Sequence, residues 1–575
     1  MAVCFKLQFL PLKLMKPKGF ARSLLGASAL TSVVTWFTTM PADAATQTWD
    51  FGAATQDWNT AANWTNDAFP NGAGSNAIVN TSTGLFPVIS ANSAFSPADV
   101  LIADGGTNTG RLDHTAGLLT LTDVSANGTW FIVGRGANTA TGIYNLADTS
   151  TVGGGITGFG QGSGDLTVGK LFAGGAYFNA LGTGTININT SGTVTANSTQ
   201  NFAGQGNATI VLGTGTGASG TLNLENGTVN AAGEVWFGNN ATGTVTQSGG
   251  TLSSGSFFVV GRSSGAVGTY NLSGGTVNAT TTNAASFAVL GSFAGANGTL
   301  SVSGGTFNVS GGNQMIIGEG GTGTLNVSGT GLVTITDATQ GLRLGANATG
   351  VGTVNLNGGT IQTAIVTKGT GAGTFNFNGG TLQANAASTT FMTGLTAANV
   401  QSGGAVIDSN GFAITIAQAL LDGGGGGGLT KTGLNTLTLS SAANTYTGPT
   451  LISNGTLATD LTGSLGPGNV TIADLAGAGL TLGNGSSIAD TATLFFGDAG
   501  TITLNNATTD TVLGITQTDD SQSIGAGTYT AAQLNSFFVV SSFGGTGTLT
   551  VVPEPAITLL GSLGLLGILR RRRVA

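Results

Sequence analysis

Through the middle of the chain, apolar and polar residues alternate in short runs that open on Gly-Thr. In GTYNLSGGTVNA, Gly268 to Ala279, the apolar Tyr270, Leu272 and Val277 alternate with Thr269, Asn271, Thr276 and Asn278. A period of two puts the apolar set on one side of an extended backbone, so the pattern predicts two short strands. The Gly274-Gly275 pair between them supplies a corner, because glycine reaches positive φ at little cost. Upstream of each such phrase lies a third apolar run ending in glycine: VWFG from Val235, FFVVG from Phe257, FAVLG from Phe287, MIIG from Met315 and LRLG from Leu342. Three strands and three turns per unit describe one coil of roughly triangular section.

The phrase recurs as GTLNLENGTVNA from Gly220, GTVTQSGGTLSS from Gly243, GTLSVSGGTFNV from Gly298, GTLNVSGTGLVT from Gly323, GTVNLNGGTIQT from Gly352 and GTFNFNGGTLQA from Gly373. From Gly220 onward the spacings are 23, 25, 30, 25, 29 and 21 residues. A unit of that length cannot bury its apolar face alone and must stack on a neighbour. The expected fold is therefore all-β, a long parallel β-solenoid, and right-handed because parallel crossovers nearly always are. At ~4.8 Å per stacked strand, about twenty rungs would run on the order of 100 Å. Coils are expected from near Asn80, with degenerate units at Gly110 and Gly142, a further one from Gly184, and the cleanest copies between Gly220 and Asn385.

Two features of the pattern bear on surfaces. Asn271, Asn326, Asn355 and Asn376 sit at matching positions, and aligned amides either bond up the stack as a ladder or face solvent. The sequence leaves both readings open. Trp49, Trp58 and Trp64 fall within 16 residues near the start of the mature chain. Terminal repeats must cover an open end, so a cap is expected there, the other reading being an aromatic platform for sugar stacking.

Composition narrows the class. Of 575 residues 100 are Gly and only 7% are charged, yet 40% are hydrophobic, which favours an ordered β protein over a disordered one. Cys4 is the sole cysteine, so disulfides and thiolate-bound metal play no part in the expected mature chain. Nine of the 16 basic residues lie at the two ends, and Ala45 to Val552 holds 7 basic against 22 acidic residues, a net of −15. An acidic body without a basic stripe argues against nucleic acid as a partner.

The ends read as addresses. Met1 to Ala44 has a basic start, an apolar stretch from about Leu24 to Phe37 and a small-residue site, so a signal helix is expected, with cleavage at Ala42-Asp43-Ala44 before Ala45. Met15, followed by KPKGFAR, makes the more ordinary start of such a signal.

Candidate chemistry is confined to one place. In the cleanest repeats, Gly220 to Asn385, the acids are Glu225, Glu234, Glu319 and Asp337, and no two fall at equivalent positions of adjacent rungs. The denser group is Asp99, Asp104, Arg111, Asp113, His114 and Asp123, with His114 the only histidine. A polysaccharide lyase or hydrolase on a β-helix would have to use these groups. Asp113-His114 is expected in a solvated turn instead. GQGSGDLTV from Gly160 is similar to a calcium-binding nonapeptide repeat, but it stands alone where such sites need tandem copies. No catalytic residue, cofactor or metal is expected. The six glycines Gly423 to Gly428 are expected to form a flexible joint or wide loop, since no Gly-Lys-Ser/Thr follows to make a phosphate cradle.

Two stretches resemble known families. LTKTGLNTLTLSSAANTYTGPTLISNGTL, Leu429 to Leu457, resembles the autotransporter-associated β-strand repeat, which implies a β-helical region of a secreted bacterial surface protein. Pro553-Glu554-Pro555, an apolar run from Ala556 to Leu569 and Arg570, Arg571, Arg572 and Arg573 resemble a PEP-CTERM sorting signal. That resemblance implies an exosortase-type membrane enzyme that cuts near Pro553-Glu554-Pro555. The run is short for a full span and the arginines would hold its end at the anionic cytoplasmic face, so the sorting helix gives a transient membrane stop. An autotransporter passenger would end in a membrane barrel, and no closing series of amphipathic strands of ~10 residues is seen.

The expected organisation is a signal peptide at 1–44, a Trp-rich cap with first rungs at 45–109, solenoid repeats at 110–390, a second solenoid section at 391–551 and the sorting signal at 552–575. The expected function is a non-enzymatic, exported cell-surface or extracellular-matrix solenoid with a structural or adhesive role. Its expected partners are the export machinery, an exosortase-type enzyme and extracellular polysaccharide.

Overall fold

The computed structural model describes residues 46–552, apart from 123–128, 137–139, 148–160, 169, 174–181, 199–207, 281–286, 313, 506–508, 520 and 541. The expected signal helix with its Ala42, Ala44 and Ala45 site, and the sorting helix from Pro553 to Arg573, lie outside the described residues.

One rung explains the others. Phe258–Val260, Val267–Leu272 and Thr276–Thr280 are three strands, and each pairs in parallel with its counterpart in the next rung, Ala288–Leu290, Asn297–Val302 and Thr306–Ser310. We call the three sides the first, second and third faces in chain order. Register follows the repeat, so that Gly268 lies beside Gly298, Tyr270 beside Leu300 and Val277 beside Phe307. Tyr270, Leu272, Val277 and Ala279 all point inward and are buried, as the alternation requires. Each aliphatic or aromatic side chain so buried contributes about 1.5–3 kcal/mol, and stacking brings the chain above and below to cover it. The fold is the all-β parallel solenoid that the repeat predicts.

The first face is a parallel sheet of 19 strands, from Thr46–Thr48 to Phe543–Gly545. Stacking therefore starts earlier than Asn80, because Thr46 already pairs with Asn76. The three consecutive apolar residues on this face have a reason of their own. Inward neighbours such as Phe258 and Val260 fill the core, while the outward column Leu101, Ile132, Phe172, Val211, Trp236 and Val259 is itself buried in a second apolar cluster. Both sides of the strand are covered, so alternation gives way to a continuous run.

Glycine opens each repeat phrase because of a close approach. A Cβ on Gly268 would come within 2.2 Å of both the Phe237 carbonyl oxygen and the Gly261 nitrogen. Gly275 serves differently: at φ +78° it turns the chain from the second face to the third.

The two ends are closed by irregular structure. Trp49, Trp58 and Trp64 are only 4%, 0% and 0% exposed, with edge-to-face centroid distances of 5.4 Å for Trp49 to Trp64 and 4.8 Å for Trp58 to Trp64. Phe95 stacks on Trp58. Burial of all three indoles removes the sugar-platform reading. At the other end the helix Ala531–Phe538 starts with a capping box between Thr530 and Gln533 and buries Leu534 and Phe538. Phe538 packs edge-on against Phe496 at 5.2 Å, and beside it Gly527–Thr530 pairs antiparallel with Thr548–Val551. Antiparallel pairing interrupts the parallel template there, and the edge strand Gly527–Thr530 is four residues long.

Beyond Gln383 the rungs change. The second face keeps strands at Ala397–Val400 and Leu420–Asp422, after which the described strands alternate between the first and third faces as far as Thr509–Val512, which joins a separate three-stranded sheet with Thr548–Val551 and Gly527–Thr530. Gly423 to Gly428 forms a loop between the second and third faces, the second of the two forms expected for it. Gly424, Gly425 and Gly426 have φ of +82°, +86° and +74°, and the carbonyls of Gly427 and Gly428 accept from the amides of Gly448 and Ala405 at 2.9 and 2.8 Å.

Candidate functional site

The strand Thr109–His114 settles the carboxylate cluster, because successive side chains on a strand point to opposite sides. His114 points inward and Asp113 outward, in a strand and not in a turn. The turn expected there is absent because Leu112 and His114 both belong to the buried inner row. His114 Nε2 lies 2.9 Å from the Gly117 carbonyl and Nδ1 lies 2.9 Å from the Tyr144 hydroxyl. A carbonyl only accepts, so Nε2 carries the proton and Nδ1 accepts from tyrosine. Burial pushes the imidazole down to about 4, which keeps it neutral at pH 7.

The carboxylates are each committed elsewhere. Asp113 accepts a two-pronged pair from Arg111 at 2.8 and 2.7 Å and a third bond from Asn145 at 2.7 Å. Arg111 also covers the Phe86 ring at 4.3 Å. Asp104 is bound by Arg135, a partner the sequence did not single out, through Nε and one of the two terminal guanidinium nitrogens. Asp99 lies on the first face, where it accepts from the Trp130 amide at 2.8 Å and burial raises its carboxyl to about 6. Asp123 lies outside the described residues. The described members of the group thus sit on two faces and a corner, and neither Asp113 nor Asp99 reaches the His114 ring side of the strand. Asp165 of the Gly160 segment accepts from the Thr193 amide at 2.6 Å.

The outer columns of the second face are built from the repeat. Tyr270, Leu272 and their equivalents face in, so Thr269, Asn271 and theirs face out. Thr185, Thr221, Thr244, Thr269, Thr299, Thr324, Thr353 and Thr374 stand in one column, in consecutive register. Among the described residues none of their hydroxyls has a partner in the protein. The next column carries the amides. Asn145 donates to Asp113, Asn187 to Asn145 at 2.8 Å and Asn223 to Asn187 at 2.7 Å. Further along, Asn326 donates to Ser301, Asn355 to Asn326, Asn376 to Asn355 and Asn399 to Asn376, the last three at 2.8, 2.8 and 2.9 Å. Both sequence readings hold together: the amides lie on the outer face and bond along it. Asn271 is outside the ladder: its neighbours in the column are Thr246 and Ser301, which carry no amide, and the Ser301 hydroxyl accepts from Asn326 on its other side. The third face has a shorter ladder, in which Gln362 donates to Gln383 and Gln383 to Asp408, both at 2.7 Å.

Two buried ionisable groups escaped the sequence reading. Lys431, on Leu429–Thr432, occupies an inward column between Ile407 and Ile452. Its ammonium donates to the carbonyls of Thr432, Gly433 and Asn454 at 2.6, 2.7 and 3.1 Å, while burial pulls it down to about 8. Asp510 accepts from the amides of Ser487, Ile488 and Thr511, and burial raises its carboxyl to about 6. A lysine at an apolar place in an otherwise regular alternation was the available signal for Lys431. Both side chains tie one rung to the next.

Two family models match the chain. The passenger-associated-transport-repeat matches residues 429–458 and the PEP-CTERM protein-sorting motif matches residues 551–573. No curated protein and no solved structure matches this chain. The first match contains Lys431 and spans the rungs where the second face loses its strand. The second marks an exported protein processed by an exosortase-type system. These are sorting and repeat families rather than catalytic ones. Among the described residues no helix is long and apolar enough to cross a membrane.

Proposed function

We propose that the protein is a non-enzymatic structural and adhesive element of the bacterial cell surface or extracellular matrix. A signal peptide cut at Ala42-Asp43-Ala44 starts its export. The apolar run and Arg570 to Arg573 hold it briefly at the inner membrane, and an exosortase-type enzyme releases it near Pro553-Glu554-Pro555. The Trp-rich segment from residue 45 to 109 caps the first coils, and the coils between 110 and 551 form the exposed body.

The observation that carries this reading is the second face, with eight aligned threonine hydroxyls free of protein partners beside an amide column. Repeated neutral donors and acceptors suit a ligand that also repeats, such as a matrix polysaccharide, and exposed hydroxyls exchange water for sugar at little net cost. Co-sedimentation of the exported protein with matrix polysaccharide and with whole cells tests the proposal. Retention on either supports it; a protein that binds neither, and does not bind itself, removes it.

A further inference from the structure

We infer that the second face between Thr183 and Phe377 is a pairing surface for a second copy of this chain. This deepens the adhesive reading and shares its face, but it names a different partner.

The outward positions over these eight rungs form three columns. The first is Thr183, Ser219, Thr242, Val267, Asn297, Thr322, Val351 and Ala372; the second is the threonine column; the third runs from Asn187 through Asn223 and Asn271 to Asn376. No charged residue occupies any of them, although the body as a whole is strongly acidic. Two copies approaching through these three columns bring no like charges together, and the acid next to them, Glu225, stands beyond the third column at the edge of the face. The outermost column also leaves Val267 and Val351 at 44% and 42% exposure, apolar surface that has no cover within one chain.

Size and period both fit. Eight rungs at about 4.8 Å and six-residue strands at about 3.3 Å per residue give a face of about 800 Å², the share each partner of a standard interface buries. A ligand laid along eight rungs must keep their spacing or drift out of phase, and a second copy keeps it by construction. A two-fold axis sets the same patch against itself, which is the self-complementary arrangement of most soluble dimers. Threonine and asparagine rows from facing sheets then interdigitate, with the amides already bonded along their own column and therefore cheap to cover.

The test uses the protein purified from cells that export it. Light scattering should give twice the chain mass at concentrations up to roughly 100 µM, the weak end of specific association. The triple variant Thr221→Glu, Thr269→Glu, Thr324→Glu should weaken pairing at least ~100-fold, as should Thr221→Lys, Thr269→Lys, Thr324→Lys, and mixing the two should restore it. Because the replaced residues face outward on alternate rungs, both variants should melt near the parent temperature, and the single Thr269→Glu variant checks the same face with less risk to folding. Thr251→Glu on the third face should leave pairing intact. A wild type that stays monomeric over the whole range overturns the inference, as does a glutamate variant that pairs as well as wild type or a mixture that fails to restore pairing. A monomer that still sediments with matrix polysaccharide would discard pairing and keep the adhesive reading; a dimer that binds neither polysaccharide nor cells would keep pairing and reduce the adhesive reading to self-association.

Discussion

The Lys431 ammonium donates to the Asn454 carbonyl, 3.1 Å away, at the start of the next rung. With Thr432 and Gly433 taking its other two protons, a buried cation locks the corner that follows its strand. Lys431→Met keeps the volume but strands three carbonyls, and should cost about 3 kcal/mol in chemical unfolding. The pH response has a defined sign. The folded ammonium titrates near 8 and the unfolded one near 10.5, so the unfolded chain holds more protons between those values. Stability should therefore rise across that window in the wild type and stay flat in Lys431→Met.

The repeat glycines should separate by environment rather than by identity. Gly268→Ala would drive a Cβ to 2.2 Å from two backbone atoms of adjoining segments, and should cost about 3 kcal/mol or more. Gly265, at φ +79° with no atom within 4 Å of the place a methyl group would take, should cost only about 1 kcal/mol as alanine. Urea melts of the two variants make the comparison, and equal costs would mean the rungs are not stacked in this register.

The amide ladder predicts a directional effect. Asn355 donates to Asn326 and accepts from Asn376, both at 2.8 Å. Asn355→Asp keeps the acceptor and sets a carboxylate against the Asn326 carbonyl oxygen, so it should destabilise by about 1–2 kcal/mol at pH 7 and recover below the carboxyl's own titration. Asn271→Asp, outside the ladder, should be near neutral. Thermal melts at pH 3.5 and pH 7 distinguish them.

These contrasts mark where the sequence was legible. Alternation around Tyr270 and Leu272 reveals the strands, and the Gly-Thr spacing reveals the stack, because both follow from burying one side of a pleat. The sorting tail and the Leu429 repeat are readable as local motifs. The helix Ala531–Phe538 is not, since Ala531, Leu534 and Phe538 make one short amphipathic turn in a β-rich region. Asp113 and His114 resemble a turn because their order, polar beside polar, hides a strand whose inner row accepts a histidine once Tyr144 and Gly117 satisfy it. Lys431 is hidden for the same reason: only the fold shows which carbonyls surround it.

His114 also sets an acid limit. Its imidazole titrates near 4 when folded and near 6.5 when unfolded, so the unfolded chain holds the extra proton between those values and stability falls as pH drops through them, by about 3 kcal/mol. Asp99 and Asp510 act in the opposite sense, since their raised carboxyls favour the folded state below about 6. His114→Gln should flatten the first trend, and Asp510→Asn should remove part of the second, in melts taken from pH 4 to pH 7.

The most direct measurement is mass spectrometry of both ends of the protein recovered outside the cell. The account predicts a chain that begins at Ala45 and stops near Pro553, with the apolar run and Arg570 to Arg573 removed. A chain found only inside the cell, with Met1 or Met15 and the arginines still attached, would contradict it.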